Sequence, residues 1–392
     1  MAFKLLLWIS IFLVFYIYVG YTIILFILSK IIAKEKATTE LKTEELPAVT
    51  LFIAAWNELD SIADKVKNSL GIDYPADKLS ILWVTDGSDD GTPDLLRNYP
   101  QMTVLHEPGR NGKIGAINRG MKYVKTPLVV FCDANTFLNK YAIKEIVKSF
   151  SDDRVGCVAG EKRIFSFEID SASGSGEGFY WKMESFIKKT ESKLGSTVGA
   201  AGELFAIRTE LFQEVDPDTI LDDFLISMRI VLKGYKVSYN PLAIATEMSS
   251  ASMSDELKRK VRIAAGGFQV IPRLKSLLNP FTNPWICFTY LSHKVLRWTV
   301  LPVAFLTAFF SNYIILYYNH SAFYDILYIL QILFYGATIV GYILQHKSIK
   351  IKIFFIPYYL TMMNYAIILG FFKNIGKKQH VNWVRAQRAV VK

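Results

Sequence analysis

Cysteine is scarce in this sequence: only Cys132, Cys157 and Cys287 occur among 392 residues. The three lie far apart and form neither a Cys-x-x-Cys pair nor a Cys/His spacing typical of zinc sites. The sequence therefore indicates neither a disulfide framework nor a zinc centre. We expect each cysteine to be a small core residue in a protein that works in a reducing compartment.

Acidic residues are absent from the end of the chain. Residues 346–392 contain nine Lys and Arg residues and no Asp or Glu, which nearly accounts for the net charge of +10. This basic excess lies next to apolar segments, where it favours a lipid bilayer as the partner. We therefore predict no nucleic-acid partner.

Charged residues are also missing from several long stretches. Residues 5–32 carry no charge before Lys30 and lack the cleavage site of a signal peptide. Because about 20 apolar residues cross a bilayer, we predict an uncleaved anchor at 1–34. Lys30, Lys34 and Lys36 follow it, against Lys4 alone before it, which predicts a cytosolic domain downstream. Further apolar runs occupy residues 295–318, 323–344 and 353–372.

These three later runs raise a problem of topology. If all of them cross the bilayer after a cytosolic domain, the basic tail ends outside, against the positive-inside tendency. We therefore expect one segment to re-enter or to lie in the interface, and the first candidate is 353–372, which Pro357 interrupts. The second candidate surrounds His293, Lys294 and Arg297, with its cations extending to the bilayer surface.

Residues 35–278 form a predicted globular domain, and residues 279–392 a third region of interface and membrane helices. Continuous apolar runs at 48–56, 79–86, 103–107 and 128–133 predict strands buried on both faces, with helices between them. This pattern predicts an open parallel α/β sheet, in which ligands bind at the carboxyl ends of strands. We expect Asn57, Asp86 and Asp133 to converge on that edge.

Asp133 and Asn135 follow one of these runs, in VVFCDANTFL. Carboxylate and amide oxygens suit Mg²⁺ or Mn²⁺, which leaves positions open for a substrate diphosphate. The alternative is that both side chains cap the following turn, as Asp and Asn often do. These residues alone leave both alternatives open.

Five short motifs occur in order along the chain: AAWNE, VTDGSDDGT, GKIGAIN, DAN and LDDF. Together they resemble the motifs of the inverting family 2 glycosyltransferases, over about residues 47–269. The membrane-flanked layout is similar to the membrane-bound bacterial polysaccharide synthases of that family. The resemblance implies an α/β nucleotide-sugar-binding domain (GT-A, Rossmann-like) in the cytosol, flanked by α-helical transmembrane segments of the bacterial plasma membrane.

The same resemblance implies roles for individual residues. Lys113 would approach the diphosphate, and Asp133 and Asn135 would hold Mg²⁺ or Mn²⁺. The position of Asn135 is often Asp in the family, so the site here has one charge fewer. The implied nucleotide-binding set is Ala55, Asn57, Glu58, Asp86, Lys113 and Asp133.

Asp223 is the predicted catalytic base. The resemblance makes it equivalent to the catalytic acid of the family's Thr-Glu-Asp motif, with Asp222 at the Glu position. Inverting transfer needs one carboxylate to take the proton of the acceptor hydroxyl. The alternative is that both acids stabilise the N-terminus of the following helix, which is compatible with catalysis.

Two stretches are assigned to the diphosphate and the acceptor. GSTVGAAGELFAIR, which contains Gly202, is similar to the family's acceptor side, or else is a flexible loop. The second stretch, RKVRI, stands where processive members of the family have Gln-x-x-Arg-Trp. Arg262 matches the family's arginine, which would bind the diphosphate. Arg259 and Ile263 replace the Gln and the Trp. Processive elongation is therefore in doubt. The alternative is an amphipathic helix on acidic lipid.

The whole chain is thus predicted to be an integral membrane glycosyltransferase. It would transfer sugar from a nucleotide donor, expected to be UDP-linked, to a polysaccharide or lipid-linked acceptor, with inversion and a divalent metal. The alternatives are a transferase that forms single-sugar glycolipids, or a non-catalytic nucleotide-sugar-binding subunit of a secretion complex. Trp383 and Arg388 resemble a gating segment of related synthases, or else anchor the tail on lipid.

Overall fold

The computed structural model of the protein describes residues 1–32, 43–165, 172–250, 252–318, 321–347, 349 and 351–376, with the backbone alone for 172–180 and 352. Lys34, Lys36, Trp383 and Arg388 lie outside these residues, as does the predicted boundary at 34. The helices are α1 (Ala2–Phe15), α2 (Tyr21–Ile31), α3 (Leu59–Leu70), α4 (Thr92–Arg97), α5 (Gly112–Met121), α6 (Ala142–Ser149), α7 (Ala172–Leu194), α8 (Asp222–Leu232), α9 (Met253–Arg273), α10 (Pro284–Tyr290), α11 (Leu296–Tyr318), α12 (Ala322–His346) and α13 (Lys352–Ile375). The strands are β1 (Val49–Ala55), β2 (Leu79–Asp86), β3 (Thr103–Glu107), β4 (Leu128–Asp133), β5 (Phe137–Leu138), β6 (Val155–Phe165), β7 (Leu204–Arg208) and β8 (Lys236–Met248).

The strands form one mixed sheet in the order β3-β2-β1-β4-β7-β6-β8-β5. The four apolar runs form β1 to β4, and these strands are parallel, as predicted. Beyond β4 the direction changes, because β7 runs antiparallel to both β4 and β6. The prediction of an open parallel sheet is therefore confirmed for β1 to β4 and wrong for β7, since an apolar run identifies a buried strand but not its direction.

Helices cover both faces of the sheet. Phe52, Val84 and Phe131 belong to a core cluster that includes α5, while Leu51 and Trp83 belong to the cluster with α3 and α6 on the other face. All of β1 is buried, which explains its uninterrupted apolar sequence. All three cysteines are buried and free, as predicted.

Among the described residues, four helical segments are long and apolar enough to cross a membrane: Ala2–Ile31, Pro284–Tyr318, Ala322–His346 and Ile353–Ile375. The first joins α1 and α2 through a π-helical turn at Tyr16–Gly20. The second joins α10 and α11 through another at Leu291–Val295. The four apolar segments are confirmed. That the segment with Pro357 lies in the interface stays a prediction.

Helix α9 connects the globular domain to the membrane helices. A Cβ on Gly370 of α13 would lie 2.5 Å from Cβ of Ala264, and one on Gly267 would lie 2.6 Å from the Trp298 ring of α11. Small residues allow such close approach of helices. Because Lys260 and Val261 are also buried, the structure does not support the alternative of an amphipathic helix on the lipid surface.

The cations around His293 do not extend to the bilayer surface, so that prediction is wrong. His293 is fully buried, with Nδ1 2.8 Å from Glu191 and Nε2 3.1 Å from Glu184. Lys294 and Arg297 also pair with Glu184, at 2.5 and 3.3 Å. Buried charges need partners, and here the partners lie on α7, more than 100 residues away in the sequence.

Candidate active site

The carboxyl ends of β1, β2 and β4 lie side by side at one edge of the sheet. Ala55 pairs in register with Thr85, and Ala54 pairs with Asp133. Ala55, Asp86 and Asp133 therefore end neighbouring strands at the same height. The predicted convergence on this edge is confirmed.

Asn57 and Glu58 hold the loop after β1 against the loop after β2. Asn57 has φ of 50°, a conformation that Asn tolerates, and it exchanges hydrogen bonds of 2.8 and 3.0 Å with Asp89. Glu58 is buried, and its backbone N–H donates to Oγ1 of Thr92. These contacts shape the loops, while nucleoside contact by Asn57 or Glu58 stays a prediction.

Asp86 is buried beneath the Gly-rich loop. Its Oδ2 accepts hydrogen bonds from the backbone N–H groups of Asn111 (2.8 Å) and Gly112 (2.6 Å) at the start of α5. Burial raises the pKa of Asp86, although these bonds and Arg119 oppose the increase. Asp86 thus fixes the loop that carries Lys113, and its contact with a nucleoside stays a prediction.

Sequence reasoning missed a stacked pair at these loops. The Arg110 guanidinium lies 3.5 Å from the centroid of the Trp56 ring, and the Trp56 indole donates to the carbonyl of Gly87 at 3.2 Å. Gly87 has φ of 67°, and a Cβ there would lie 2.7 Å from Cβ of Arg110. The aromatic residue in AAWNE and the cation of GRNGKIG were the available signal. The pair presents a flat cationic surface.

Lys113 lies among the acidic residues at the sheet edge. Its Nζ is 2.6 Å from Oδ1 of Asp133 and 3.6 Å from Oδ2 of Asp222. Burial alone would lower the pKa of Lys113, but the charges of Asp133, Asp222 and Asp223 raise it above its ordinary value. The lysine is therefore a permanent cation that joins motifs far apart in the sequence.

The turn after β4 is not capped by Asp133 or Asn135. The backbone carbonyl of Asp133 accepts from the N–H and Oγ1 of Thr136 instead. Within the described part of the chain, the Asp133 carboxylate bonds only Lys113 and the Asn135 amide bonds nothing. The capping alternative is therefore wrong, and both side chains have oxygens available.

The donor set fits a divalent cation with open coordination positions. Asp133 supplies a carboxylate and Asn135 an amide oxygen, while Oδ2 of Asp222 is buried without a hydrogen bond. Among the residues described, no three His, Cys, Asp or Glu residues form a closed metal site. An ion here would therefore complete its shell with water or substrate oxygens.

Asp223 lies in the first turn of α8, half-buried beside the buried Asp222. Its Oδ1 accepts from the N–H of Phe224 at 2.7 Å. Burial raises its pKa to about 7; Asp222 and Glu203 add to the increase, and Lys113 opposes it. A carboxylate of this pKa exchanges protons near neutral pH, as a general base requires. The bond to Phe224 satisfies one first-turn N–H of α8, and both acids lie at the favourable end of the helix dipole, so the stabilising role is compatible with catalysis.

Gly202 faces both Lys113 and Asp223. A Cβ at this position would lie 3.2 Å from Nζ of Lys113 and 3.3 Å from Oδ2 of Asp223. The missing side chain leaves space between the cation and the carboxylate. The structure thus brings Gly202, Lys113, Asp133, Asp222 and Asp223 together.

The predicted arginines belong to α9. Arg262 donates to the carbonyl of Ile220 at 3.4 Å, and its buried Nε has no hydrogen bond. Arg259 pairs with the buried Glu256 at 3.1 Å, and Lys260 approaches the same acid at 3.4 Å. Arg259 lies on a cavity wall, whereas contact of either arginine with a diphosphate stays a prediction.

A cavity of about 780 Å³ runs from Asp223 into the membrane helices. Ile263, at the position of the family's Trp, lies on its wall with Ala200 and Ala201.

Glu203 was missed by sequence reasoning. It lies on the cavity wall, pairs with the buried Lys162 and contributes to the raised pKa of Asp223. The charged residues Glu161, Lys162 and Arg163, which follow the apolar part of β6, were the available signal for such a pair.

Comparisons with known proteins agree with this geometry. The family model described as glycosyltransferase like family 2 matches residues 47–266, more than half of the chain. The chain is 27% identical over 242 residues to poly-beta-1,6-N-acetyl-D-glucosamine synthase of Staphylococcus aureus, covering 60% of this chain and only 58% of that protein. It is 24% identical over 306 residues to the synthase of the same name from Staphylococcus epidermidis, covering 70% and 73%.

A solved structure shows the same fold. It is the mannosyltransferase PcManGT from Pyrobaculum calidifontis in complex with GDP-Man and Mn²⁺. It matches with a TM-score of 0.71 and 24% identity, over 95% of this chain and 100% of that one. The predicted family and the GT-A architecture are confirmed, and the chain belongs to glycosyltransferase family 2.

Proposed function

We propose that this protein transfers a sugar from a nucleotide-sugar donor, UDP-linked, to a polysaccharide or lipid-linked acceptor at the bilayer, with inversion at the anomeric carbon. The observation that carries the proposal is the placement of Asp223 across Gly202 from Lys113, where its surroundings raise its pKa to about 7. The two Staphylococcus relatives are synthases of a glucosamine polymer, which supports transfer to a glycan.

The donor would lie along the sheet edge. Its nucleoside would reach the loops after β1 and β2, where Trp56 and Arg110 offer a surface for an aromatic base. Its diphosphate would lie against Lys113, with the unpaired Nε of Arg262 as a further donor. Asp133 and Asn135 would hold Mg²⁺ or Mn²⁺, which supplies positive charge to the departing diphosphate.

The acceptor would approach from the cavity. Its hydroxyl oxygen forms the new bond to the anomeric carbon while the bond to the diphosphate breaks, and Asp223 takes the hydroxyl proton. Lys113 offsets the charge of the leaving nucleoside diphosphate. Asp222 and Glu203 keep Asp223 basic enough for the step, because their negative charges raise its pKa.

The membrane helices would place this reaction in the cytosol. The proposal rests on the lysines that follow the first apolar segment and on the four candidate spans. Nucleotide sugars would then reach the site without crossing the bilayer.

A donor screen tests the proposed function. Purified protein in lipid is given a panel of UDP- and GDP-sugars with Mg²⁺, Mn²⁺ or a chelator, and the released nucleoside diphosphate and the product size are measured. We expect one UDP-sugar to turn over, and the chelator to abolish release. Binding of a donor without release from any of them would contradict the enzyme and favour the non-catalytic subunit.

A further inference from the structure

The cavity that opens on Asp223 has two unlike parts. Its membrane part is walled by apolar and aromatic side chains of α11 and α13, among them Leu301, Phe305, Ile356 and Met363. Its charged wall residues lie in the globular domain, except for Lys294, just before α11, and Arg297, in the first turn of α11. The cavity is therefore amphipathic along its length.

A glycan would fit the apolar part poorly. Sugar hydroxyls would face Leu301 and Ile356 without hydrogen-bond partners, and each buried unpaired hydroxyl costs about 1–3 kcal/mol. Hydrocarbon gains about 0.8 kcal/mol for each CH₂ removed from water. The walls thus select a lipid tail over a growing polysaccharide.

Lys188 supplies the second, independent observation. It lies on α7 and is only 5% exposed, on the wall of the cavity. It makes no hydrogen bond or ion pair within the described part of the chain. Two acids lie on the same face of this helix and contact other residues. Glu184 pairs with Lys294, Arg297 and His293, and Glu191 pairs with His293. A buried ammonium without a counter-charge is costly, which points to an anionic ligand.

Lys188 differs from the other cations of the wall in its lack of an ion pair within the described part of the chain. The wall carries five cations and three acids, but Arg259 and Lys260 pair with Glu256, and Lys294 and Arg297 pair with Glu184. The five cations are Lys188, Arg259, Lys260, Lys294 and Arg297. Lys188 on α7 and Asp223 on α8 both line this cavity. Lys113, which would bind the donor diphosphate, is not on this wall.

We propose that the acceptor is a phosphate-bearing lipid, with its hydrocarbon tail between α11 and α13 and its phosphate against Lys188. This inference rests on the proposed function, since it names the acceptor of the same reaction. The headgroup hydroxyl lies at Asp223, which takes its proton as the oxygen forms the bond to the anomeric carbon and the nucleoside diphosphate leaves. Ile263, in place of an indole, leaves no aromatic stacking surface for a sugar at that wall position.

Three matched ligands test the assignment. Purified protein in dodecyl maltoside, a detergent without phosphate, is titrated with palmitoyl lysophosphatidylglycerol, with monopalmitoylglycerol, which has the tail but no phosphate, and with glycerol phosphate, which has no tail. Binding is followed by tryptophan fluorescence, because Trp181 and Trp298 lie on the cavity wall. We expect the complete lipid to bind at least about tenfold more tightly than either fragment.

Two variants and a control sharpen the test. Lys188→Met removes the charge and should weaken binding of the phospholipid about tenfold or more, but not that of monopalmitoylglycerol. Leu301→Trp fills the apolar part and should weaken both. Lys189→Met, an exposed neighbour on the same helix, should change neither. UDP binding to each preparation shows that the variants are folded.

Three results would overturn the assignment: Lys188→Met binding the phospholipid as the control does, glycerol phosphate binding as tightly as the lipid, or a soluble oligosaccharide displacing the lipid. Failure of the proposed function would look different. If the lipid binds but no donor releases nucleoside diphosphate, the transferase function is contradicted and the lipid site stands. If nucleoside diphosphate is released but the lipid does not bind, the lipid site is contradicted and the transferase function stands.

Discussion

Lys113 and Asp133 form a 2.6 Å ion pair that joins the first turn of α5 to the end of β4. The same ammonium lies 3.6 Å from Asp222 on α8, so one lysine connects three motifs of the sequence. A bound diphosphate would compete with these carboxylates for Lys113. The ion pair therefore holds the cation in the place where the donor needs it.

Replacing Lys113 by Met should weaken donor binding and slow transfer. A charge-assisted hydrogen bond is worth roughly 1.5–3 kcal/mol, so we expect the donor affinity to fall about 10- to 100-fold. UDP binding by calorimetry measures the change. Lys122→Met, on the exposed side just after α5, is the matched control and should bind UDP normally. Equal affinities of the two variants would contradict the role of Lys113.

Gly202 should tolerate no side chain beside the reacting groups. A Cβ there is 3.2 Å from Lys113 and 3.3 Å from Asp223, so Gly202→Ala should reduce turnover modestly and Gly202→Val should nearly abolish it. Donor turnover and the melting temperature are measured together. Gly336→Ala, where a Cβ meets nothing within 4 Å, should be silent in both. Full activity of Gly202→Val would show that acceptors do not pass this point.

Contact between α9 and α13 should be needed for stability. A Cβ on Gly370 would lie 2.5 Å from that of Ala264, so Gly370→Leu forces the helices apart at a cost of about 1–3 kcal/mol. Thermal unfolding in detergent should show a clear loss for Gly370→Leu. Gly336→Leu, with open space around it, serves as the control. Identical melting of the two variants would mean that the helices do not pack closely.

Sequence reasoning was most successful where one local pattern decides the structure. Uninterrupted apolar runs identified β1 to β4 and the four apolar helical segments. Motifs that resemble those of the family selected Lys113, Asp133 and Asp223, which the structure brings together. It failed for contacts between distant segments. Nothing local to His293 or Lys294 indicates that Glu184 and Glu191 neutralise them.

The same limit applies to the cavity and to the sheet. Lys188 is one of several lysines in α7 by sequence, and only packing shows that it is buried while Lys189 is exposed. Strand direction beyond β4 depends on how the chain returns, which hydrophobic patterning does not record.

The rate of transfer should rise with pH around neutrality. Burial, Asp222 and Glu203 raise the pKa of Asp223 to about 7, against the opposing charge of Lys113. Below that pH the carboxyl is protonated and cannot accept a proton, so the rate falls about tenfold per unit of pH in the acid limb. Initial rates between pH 5 and 9 at saturating donor measure the profile. A profile flat down to pH 5 would contradict the raised pKa.

The most direct test is turnover and donor binding by Asp223→Asn, measured on the same preparation. Removing a general base typically lowers the rate by about 10²–10⁴-fold. We expect a loss of that size with UDP affinity within about twofold of the unaltered protein, because Asp223 does not contact the predicted diphosphate site. Glu210→Gln, an exposed acid just after β7, should retain full turnover. Undiminished transfer by Asp223→Asn would contradict its role as the base.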